Sequence, residues 1–486
     1  MQNDKWKIPE RLKNTPMTYR LLIVLLIASL LAGCTVGPKY NRPSVATPTV
    51  FRGAADPTAP PDAHSLADLK WFELFKDSQL QDLINTASTQ NYDIREAVAR
   101  VSAARAQLGI TRAEQFPEIT GTADITKQRN STKGSFPLPP GVARDRTFGT
   151  ILLNLLSFEI DVWGRLRKQT EAARAQLQAS EEDRKTVMTT LVSDVATSYF
   201  NLLELDLELD IDKRTLATRQ NSLQLIKVRQ QGGVATMLDV RQAEQLVYSA
   251  SQEVPDVERQ VEQTENRISL LLGKNPGAIT RGKALGDQEQ PPSVPPGLPS
   301  ALIERRPDIR AAEQTLIAAN AQIGVARAAY FPTISLTGFL GTQSDQLSSL
   351  FTNPASTWSF VPRITQPIFT AGRIKSNVKF TQAQREIALI DYERTIQTAF
   401  REVSDALVQY RKIREIRAQQ ELLVGVLEDR SRLAYLRYRG GVDTLLNALD
   451  ADRDLFNAQL SLAQTKRNEL LSLVQLYKAL GGGWQQ

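Results

Sequence analysis

Cysteine, histidine and methionine are nearly absent from this chain. Its 486 residues include one cysteine, Cys34, and one histidine, His64. No disulfide can form within one chain, and no Cys/His zinc cluster is available. Beyond residue 33 the only methionines are Met188 and Met237, too few for a methionine relay of copper or silver. Aromatic residues make up 7% and hydrophobic residues 42%, lean for compact cores in a chain of this size. Charge of one sign is also scarce. The net charge is +6, and removing residues 1–33 leaves 54 basic and 51 acidic residues, or +3. Nucleic acid asks for a concentrated basic face, so it is not an expected partner. No Gly-rich phosphate loop appears, and His64 stands in a polar stretch without a nucleophile motif. The chain is therefore not expected to be an enzyme, and no catalytic residue, metal ligand or non-covalent cofactor is assigned.

What the chain has is two copies of itself. Residues 92–116, YDIREAVARVSAARAQLGITRAEQF, match 307–331, PDIRAAEQTLIAANAQIGVARAAYF, at an offset of 215 without a gap. A second pair follows at offset 208: GGVATMLDVRQAE from Gly232 and GGVDTLLNALDAD from Gly440. A duplicated unit of this length suggests that each copy supplies the same piece of a repeating wall.

Residues 21–31, LLIVLLIASLL, form an apolar run of secretory-signal length, short for a membrane-spanning helix. The run ends in LAGC, Leu31 to Cys34, which resembles the lipobox of bacterial lipoproteins. That resemblance implies a signal peptide over 1–33 and a covalent lipid on Cys34. Thr35, where an aspartate commonly retains lipoproteins at the inner membrane, implies an outer-membrane address. Each buried lipid CH₂ contributes ~0.8 kcal/mol, so several acyl chains anchor permanently. Translation is expected to start at Met17, with N-terminal mapping of the precursor as the check.

Between Arg165 and Gln231 lie 67 residues with no proline or glycine; the matching 67, Arg373 to Arg439, contain only Gly425. Both stretches read as helix. At 1.5 Å per residue each spans ~100 Å, about three bilayer hydrocarbon thicknesses, and both are studded with charge, so they must stand in water. Met188, Val192, Val195, Tyr199 and Leu202 are spaced 4-3-4-3, and Ile396, Phe400, Val403, Leu407 and Tyr410 repeat that spacing. This is the seam of helices packed as in a coiled coil. Each long helix ends at a glycine pair, after which helical stretches 234–272 and 442–480 return to Gly273 and Gly481. QPPSVPPGLPS at 290–300 reads as a stiff spacer between the copies. In RRPDIR, Pro307 suits a first helical turn and Asp308 the positive end of its dipole.

Within 117–163 and 332–371 the period changes to two. Ile119, Gly121, Ala123 and Ile125 alternate with polar residues; Ile334 and Leu336, then Trp358, Phe360 and Ile364, do the same. In 147–163 the apolar face is expected to carry Phe148, Leu152, Leu156, Phe158, Ile160 and Val162. The pattern fits membrane β-strands and also fits two water-soluble hairpins. In lipid a sheet has no free edge, and barrels begin at about eight strands. Four strands per chain would therefore require an oligomer.

CTVGPKYNRP, WFELFKDSQLQDLI at 71–84, FEIDVWGRLR at 158–167, LPSALIERRPDIRAAE at 298–313 and the two glycine-turn motifs carry a family resemblance. Over essentially the whole mature chain they resemble TolC-type outer-membrane efflux proteins of the lipidated branch, which serve tripartite RND-type pumps. The resemblance implies an α+β, mainly α, duplicated protomer. Its parts would be the leader 1–33, a lipidated extended segment and start of an equatorial domain at 34–90, repeat one at 91–289, the link 290–300, repeat two at 301–481 and a tail at 482–486. It implies a homotrimer with a 12-stranded membrane barrel, a periplasmic barrel of helical hairpins and an equatorial belt. The implied function is passive export of drugs, toxic organics or metal ions, with a periplasmic adaptor and an inner-membrane pump as partners. The implied periplasmic gate consists of Leu446, Asn447, Asp450 and Arg453; Asn447 departs from the paired-aspartate form of that gate. Arg453 is placed for an i,i+3 pair with Asp450. Adaptor docking is expected at Gly232, Gly233 and Val234 and at Gly440, Gly441 and Val442.

Overall fold

The computed structural model describes residues 35–53, 65–131, 141, 143–289 and 295–484. Cys34, the leader, His64 and residues 290–294 of the proline-rich link lie outside the described residues. In chain order, α1 (Ser78–Gln90) and α2 (Tyr92–Ala113) lead into β1 (Ile119–Arg129) and β2 (Asp145–Glu159), then α3 (Arg165–Gln231) and α4 (Met237–Leu271). The second copy repeats the plan with α5 (Pro299–Arg305), α6 (Pro307–Ala328), β3 (Thr333–Ser344), β4 (Ser356–Thr365), α7 (Arg373–Arg439) and α8 (Leu445–Ala479). The stretches poor in helix breakers are thus continuous helices, and Pro299 and Pro307 each open one, where a missing N–H costs nothing.

The chain divides into two compact units. The first holds the chain up to Pro43, Ala103–Gln178 and Gln314–Ile390. Its strands form one antiparallel meander in the order β1-β2-β3-β4, leaving one edge of β1 and one of β4 without a partner strand. The register aligns Gly121, Leu153, Leu340 and Trp358 in one row and Ile119, Leu155, Gly338 and Phe360 in another. These rows make one face apolar and open, with Trp358 73% and Ile364 70% exposed.

The face of β2 differs from the sequence-based expectation. Phe148 pairs with Thr126 and Leu152 with Thr122, which puts both on the polar side. Ile151, Leu153 and Leu155 carry the apolar side instead. The cause is a bulge: Leu155 pairs with Gly338 but Phe158 with Leu336, so β2 uses one residue more than β3. An extra residue inverts strand parity, and a single alternation extrapolated back from Phe158 lands on the wrong face. The strand ends at Glu159, so Ile160 and Val162 lie beyond it.

Where β2 hands over to α3, Glu159 takes two bonds from Arg165 at 2.9 and 2.7 Å, and Asp161 accepts from the backbone of Leu166 and Arg167 at the helix start. Trp163 stacks on Phe331 with ring centres 4.8 Å apart. The first described residues are strapped to this junction: Val36 N–H donates to the Trp163 carbonyl at 3.0 Å, and the Asn320 amide donates to Pro38 O at 3.2 Å. Gly324 permits the strap, since a Cβ there would sit 2.9 Å from Val36 O.

The second unit holds Ser44–Ser102, Ala179–Glu313 and Asp391–Gln486. Val192, Val195, Tyr199 and Leu202 on α3 and Ile396, Val403, Leu407 and Tyr410 on α7 are buried, so the 4-3 stripes are packing seams. Buried polar groups knot this unit together. Asp77 caps α1 and also accepts from the Tyr199 hydroxyl at 3.0 Å, Lys283 N–H at 3.0 Å and the Gln288 amide at 2.8 Å. Within RRPDIR, Arg306 binds Asp308 in a fork at 3.0 and 2.6 Å, donates to Ala479 O at 2.9 Å and pairs with Glu402 at 2.8 Å. Asp308 thus serves as a fork partner as well as a first-turn acid.

Candidate functional site

The helix tips belong to the second unit, and both reversals share one backbone solution. At the first tip Gly232, Gly233 and Val234 donate to Val228, Gln230 and Arg229; at the second Gly440, Gly441 and Val442 donate to Leu436, Tyr438 and Arg437. Gly233 and Gly441 have φ of 75° and 73°, the left-handed conformation that ends a helix at low cost for glycine. Val234 and Val442 are each 67% exposed, and no atom lies within 4 Å of a Cβ built on Gly233 or Gly441. All six residues expected at the docking turns therefore sit on open reversals.

The side chains differ between the tips. At the first, Thr236 caps α4 in a reciprocal box: Asp239 N–H donates to the Thr236 hydroxyl at 3.2 Å, and Thr236 N–H to the Asp239 carboxylate at 2.7 Å. At the second, Thr444 caps α8 without a side-chain bond. Asp443 acts instead, accepting from Arg437 at 3.0 Å, Asn447 at 2.7 Å and Thr444 N–H at 2.8 Å. The Arg437 bond first, and Asn447 next, hold the Asp443 carboxyl below the usual range.

The four expected gate residues fall on one side of α8. Leu446, Asn447 and Arg453 are exposed and Asp450 is half-buried. Asp450 and Arg453 form the i,i+3 pair at 3.2 Å, and Arg453 also approaches Asp454 at 3.5 Å. The opposite side of α8 is committed to packing: Leu445, Ala448 and Leu449 join Ile226, Val240, Ala243 and Tyr438 in a cluster that unites both hairpins. The open stripe is therefore free to meet other groups.

The sequence reading missed the strongest tie in this region. Arg219 on α3 donates to Asp452 on α8 at 2.9 Å, their side chains only 5% and 11% exposed. The same guanidinium lies 5.0 Å from the Phe456 ring centre and donates to Leu246 O at 3.4 Å. The partners stand 233 residues apart and Arg219 belongs to no motif, so only Asp452's place at the end of the repeated turn segment hinted at it. Further along α3, Glu204, Glu208 and Asp212 occupy one face at i, i+4, i+8. Glu204 is held by Arg467 at 2.9 Å. Burial first, and the charges of Glu204 and Asp212 next, push Glu208 up to about 7. Burial first, and Glu253 next, push Asp212 up to about 6; its two carboxylate oxygens are buried without a hydrogen-bond partner.

Among the described residues no acidic or sulfur cluster could hold a metal ion, and no helix is long and apolar enough to cross a membrane. The model of the outer membrane efflux protein family matches residues 83–274 and 298–482. The chain belongs to that family. The toluene efflux pump outer membrane protein TtgC of Pseudomonas putida is 38% identical over 473 residues, 97% of each chain. Outer membrane protein OprJ of Pseudomonas aeruginosa is 37% identical over 463 residues, 95% of each chain. The open-state structure of the MtrE outer membrane channel of Neisseria gonorrhoeae superposes with a TM-score of 0.84 at 32% identity, covering 93% of this chain and 99% of that one. The protein is thus an outer-membrane efflux channel, a transporter rather than an enzyme, with a TolC-like fold that is mainly helical and has one four-stranded sheet.

Proposed function

We propose that three copies of this chain form a passive conduit through the outer membrane, opened at its helix tips by a periplasmic adaptor and fed by an inner-membrane RND-type pump. The observation that carries this reading is the sheet. It has an apolar face open to the surroundings and two edges without a partner strand, which in lipid must be closed by other copies. Three copies in sequence order would keep every neighbour antiparallel and make 12 strands. A second support lies on α7 in the second unit. Ile416, Leu423, Val426 and Leu433 follow a heptad stripe and are 45–66% exposed, a coiled-coil seam without its partner.

In this reading the stripe Leu446, Asn447, Asp450 and Arg453 lines the constriction, and carboxylates gathered around a narrow axis repel one another while attracting cations. The Gly232–Val234 and Gly440–Val442 turns receive the adaptor. Cys34 carries the diacylglyceryl group; Thr35 and Val36, strapped beside Trp163 and Gly164 at the foot of the sheet, would deliver that lipid to the membrane boundary. The cargo class is small organic molecules, as in the relative named for toluene.

Native mass spectrometry of the detergent-purified channel should give a trimer, and planar bilayers should show conductance steps that grow or open more often in Asp450→Ala. A stable monomer, or unchanged conductance and antibiotic leak in that variant, would remove the oligomer or the gate assignment respectively.

A further inference from the structure

The outward surface of the sheet is not uniform. On β1 and β2 the rows Gly121–Leu153–Leu340 and Ala123–Ile151–Thr342 bound a groove of about 560 Å³, with Phe351 at its upper margin. The groove exists because Gly121 and Ala123 supply almost no side chain beside Leu153 and Ile151. The loop after β3 folds down onto this same face: a Cβ on Gly149 would meet Leu347 at 3.2 Å and Leu350 at 3.8 Å. That leaves Phe351 projecting, 81% exposed. The loops lie at the end of the sheet opposite the helices, which is the outer side for a channel whose helices stand in the periplasm.

Alternate residues of β1 share a face, so Lys127 and Arg129 follow Ala123 and Ile125 upward on the apolar side. Arg129 is engaged by Asp145 in a fork, with one bond at 2.8 Å. Lys127 is exposed and makes no ion pair among the described residues. On this side of the rim Lys127 and Arg129 share the single carboxylate of Asp145, while Arg146, paired with Gln128, lies on the other side; the loop between β3 and β4 has only Asp345 as a charge. Apolar groove below and unneutralised cation above follow the order of acyl chain and phosphate in a lipid.

We propose that this surface binds a phosphorylated, acylated lipid of the outer leaflet, its chain in the Gly121–Ala123 groove and its phosphate at Lys127. The binding rests on the sheet being the membrane wall. The lipid fills a depression that mobile chains would otherwise cover loosely, and the phosphate neutralises a rim that has cations to spare. Attraction of this kind is weakened by salt.

The purified channel can be titrated, under native mass spectrometry, with bisphosphorylated lipid A, with the same lipid dephosphorylated, and with phosphatidylethanolamine. Wild type should retain the bisphosphorylated form preferentially. Lys127→Gln should weaken that retention about fivefold, the effect of one surface cation on an anionic lipid, and leave the dephosphorylated form unaffected. Ala123→Trp should fill the groove and lower retention of both lipid A forms. Equal retention of the three lipids by wild type, or wild-type retention in both variants, would overturn the proposal. Planar-bilayer conductance separates the two levels: it should persist in both variants, and silence of the wild-type protein would instead overturn the channel reading beneath.

Discussion

The two copies share a backbone and differ in how their side chains are tied. Position by position, the acid that ends the turn segment is Glu244 in the first copy and Asp452 in the second. Glu244 reaches Lys227 at 3.2 Å and Arg241 at 2.6 Å, both partners exposed and both within its own hairpin. Asp452 is buried and reaches across to Arg219 of the first hairpin. The second-copy counterpart of Arg219 is Leu427, so the tie cannot be reciprocated. At this position the first copy's acid is tied within its own hairpin, while the second copy's is tied across to the other hairpin, and the second presents Leu446, Asn447, Asp450 and Arg453 on its open side. A duplicated scaffold can thus keep one backbone plan and still tie its two arms differently by changing a few side chains.

The largest effect expected from that difference is at Asp452. Asp452→Ala leaves the Arg219 guanidinium buried beneath Phe456 without its carboxylate, and breaking a buried pair in this way costs about 3–5 kcal/mol. Glu244→Ala frees two exposed cations and should leave stability unchanged within error. Urea unfolding followed by helical circular dichroism measures both. If the two variants unfold together with wild type, the asymmetry of the copies has no energetic content.

A difference in pH response comes next. The second-copy counterparts of Glu204, Glu208 and Asp212 are Lys412, Ile416 and Gln420, so only α3 carries the acid ladder. Its facing groups are Arg467 from α8, Glu253 from α4 and Arg219 on α3 itself. Glu208 and Asp212 bind protons more tightly folded than unfolded. Their contribution to stability is therefore complete in acid and is lost as pH rises through about 6 and about 7. Wild type should melt at a lower temperature at pH 8 than at pH 5, and Asp212→Asn with Glu208→Gln should shrink that drop. A drop of the same size in the double variant would assign the pH response to other groups.

How much of this could be read in advance depended on whether the information was local. The 67-residue helices, their glycine reversals and the 4-3 seams each follow from neighbours in sequence, and the duplication allowed one copy to check the other. The β2 face did not follow, because one extra residue between Leu155 and Phe158 inverts every side chain upstream and leaves no mark in composition. The Asp450–Arg453 pair is a helical spacing and was visible. The Arg219–Asp452 pair joins different copies, and Asp443 gains its role only when the turn brings Arg437 and Asn447 to it.

The smallest effect should distinguish the two caps. Thr236 satisfies a helix-end N–H and is bonded in return by Asp239, so Thr236→Ala should cost about 1 kcal/mol. Thr444 stands at the same repeat position without a side-chain bond, and Thr444→Ala should cost nothing measurable because its hydroxyl has no capping bond to lose. Hydrogen exchange of the first turns of α4 and α8 reports each cap locally: Thr236→Ala should speed exchange in α4, and Thr444→Ala should leave α8 as it was. Faster exchange in α8 after Thr444→Ala would mean that the second tip relies on its threonine after all. The second tip would then share the first tip's dependence on its cap, and only the bond between Asp443 and Arg437 would still set the two apart.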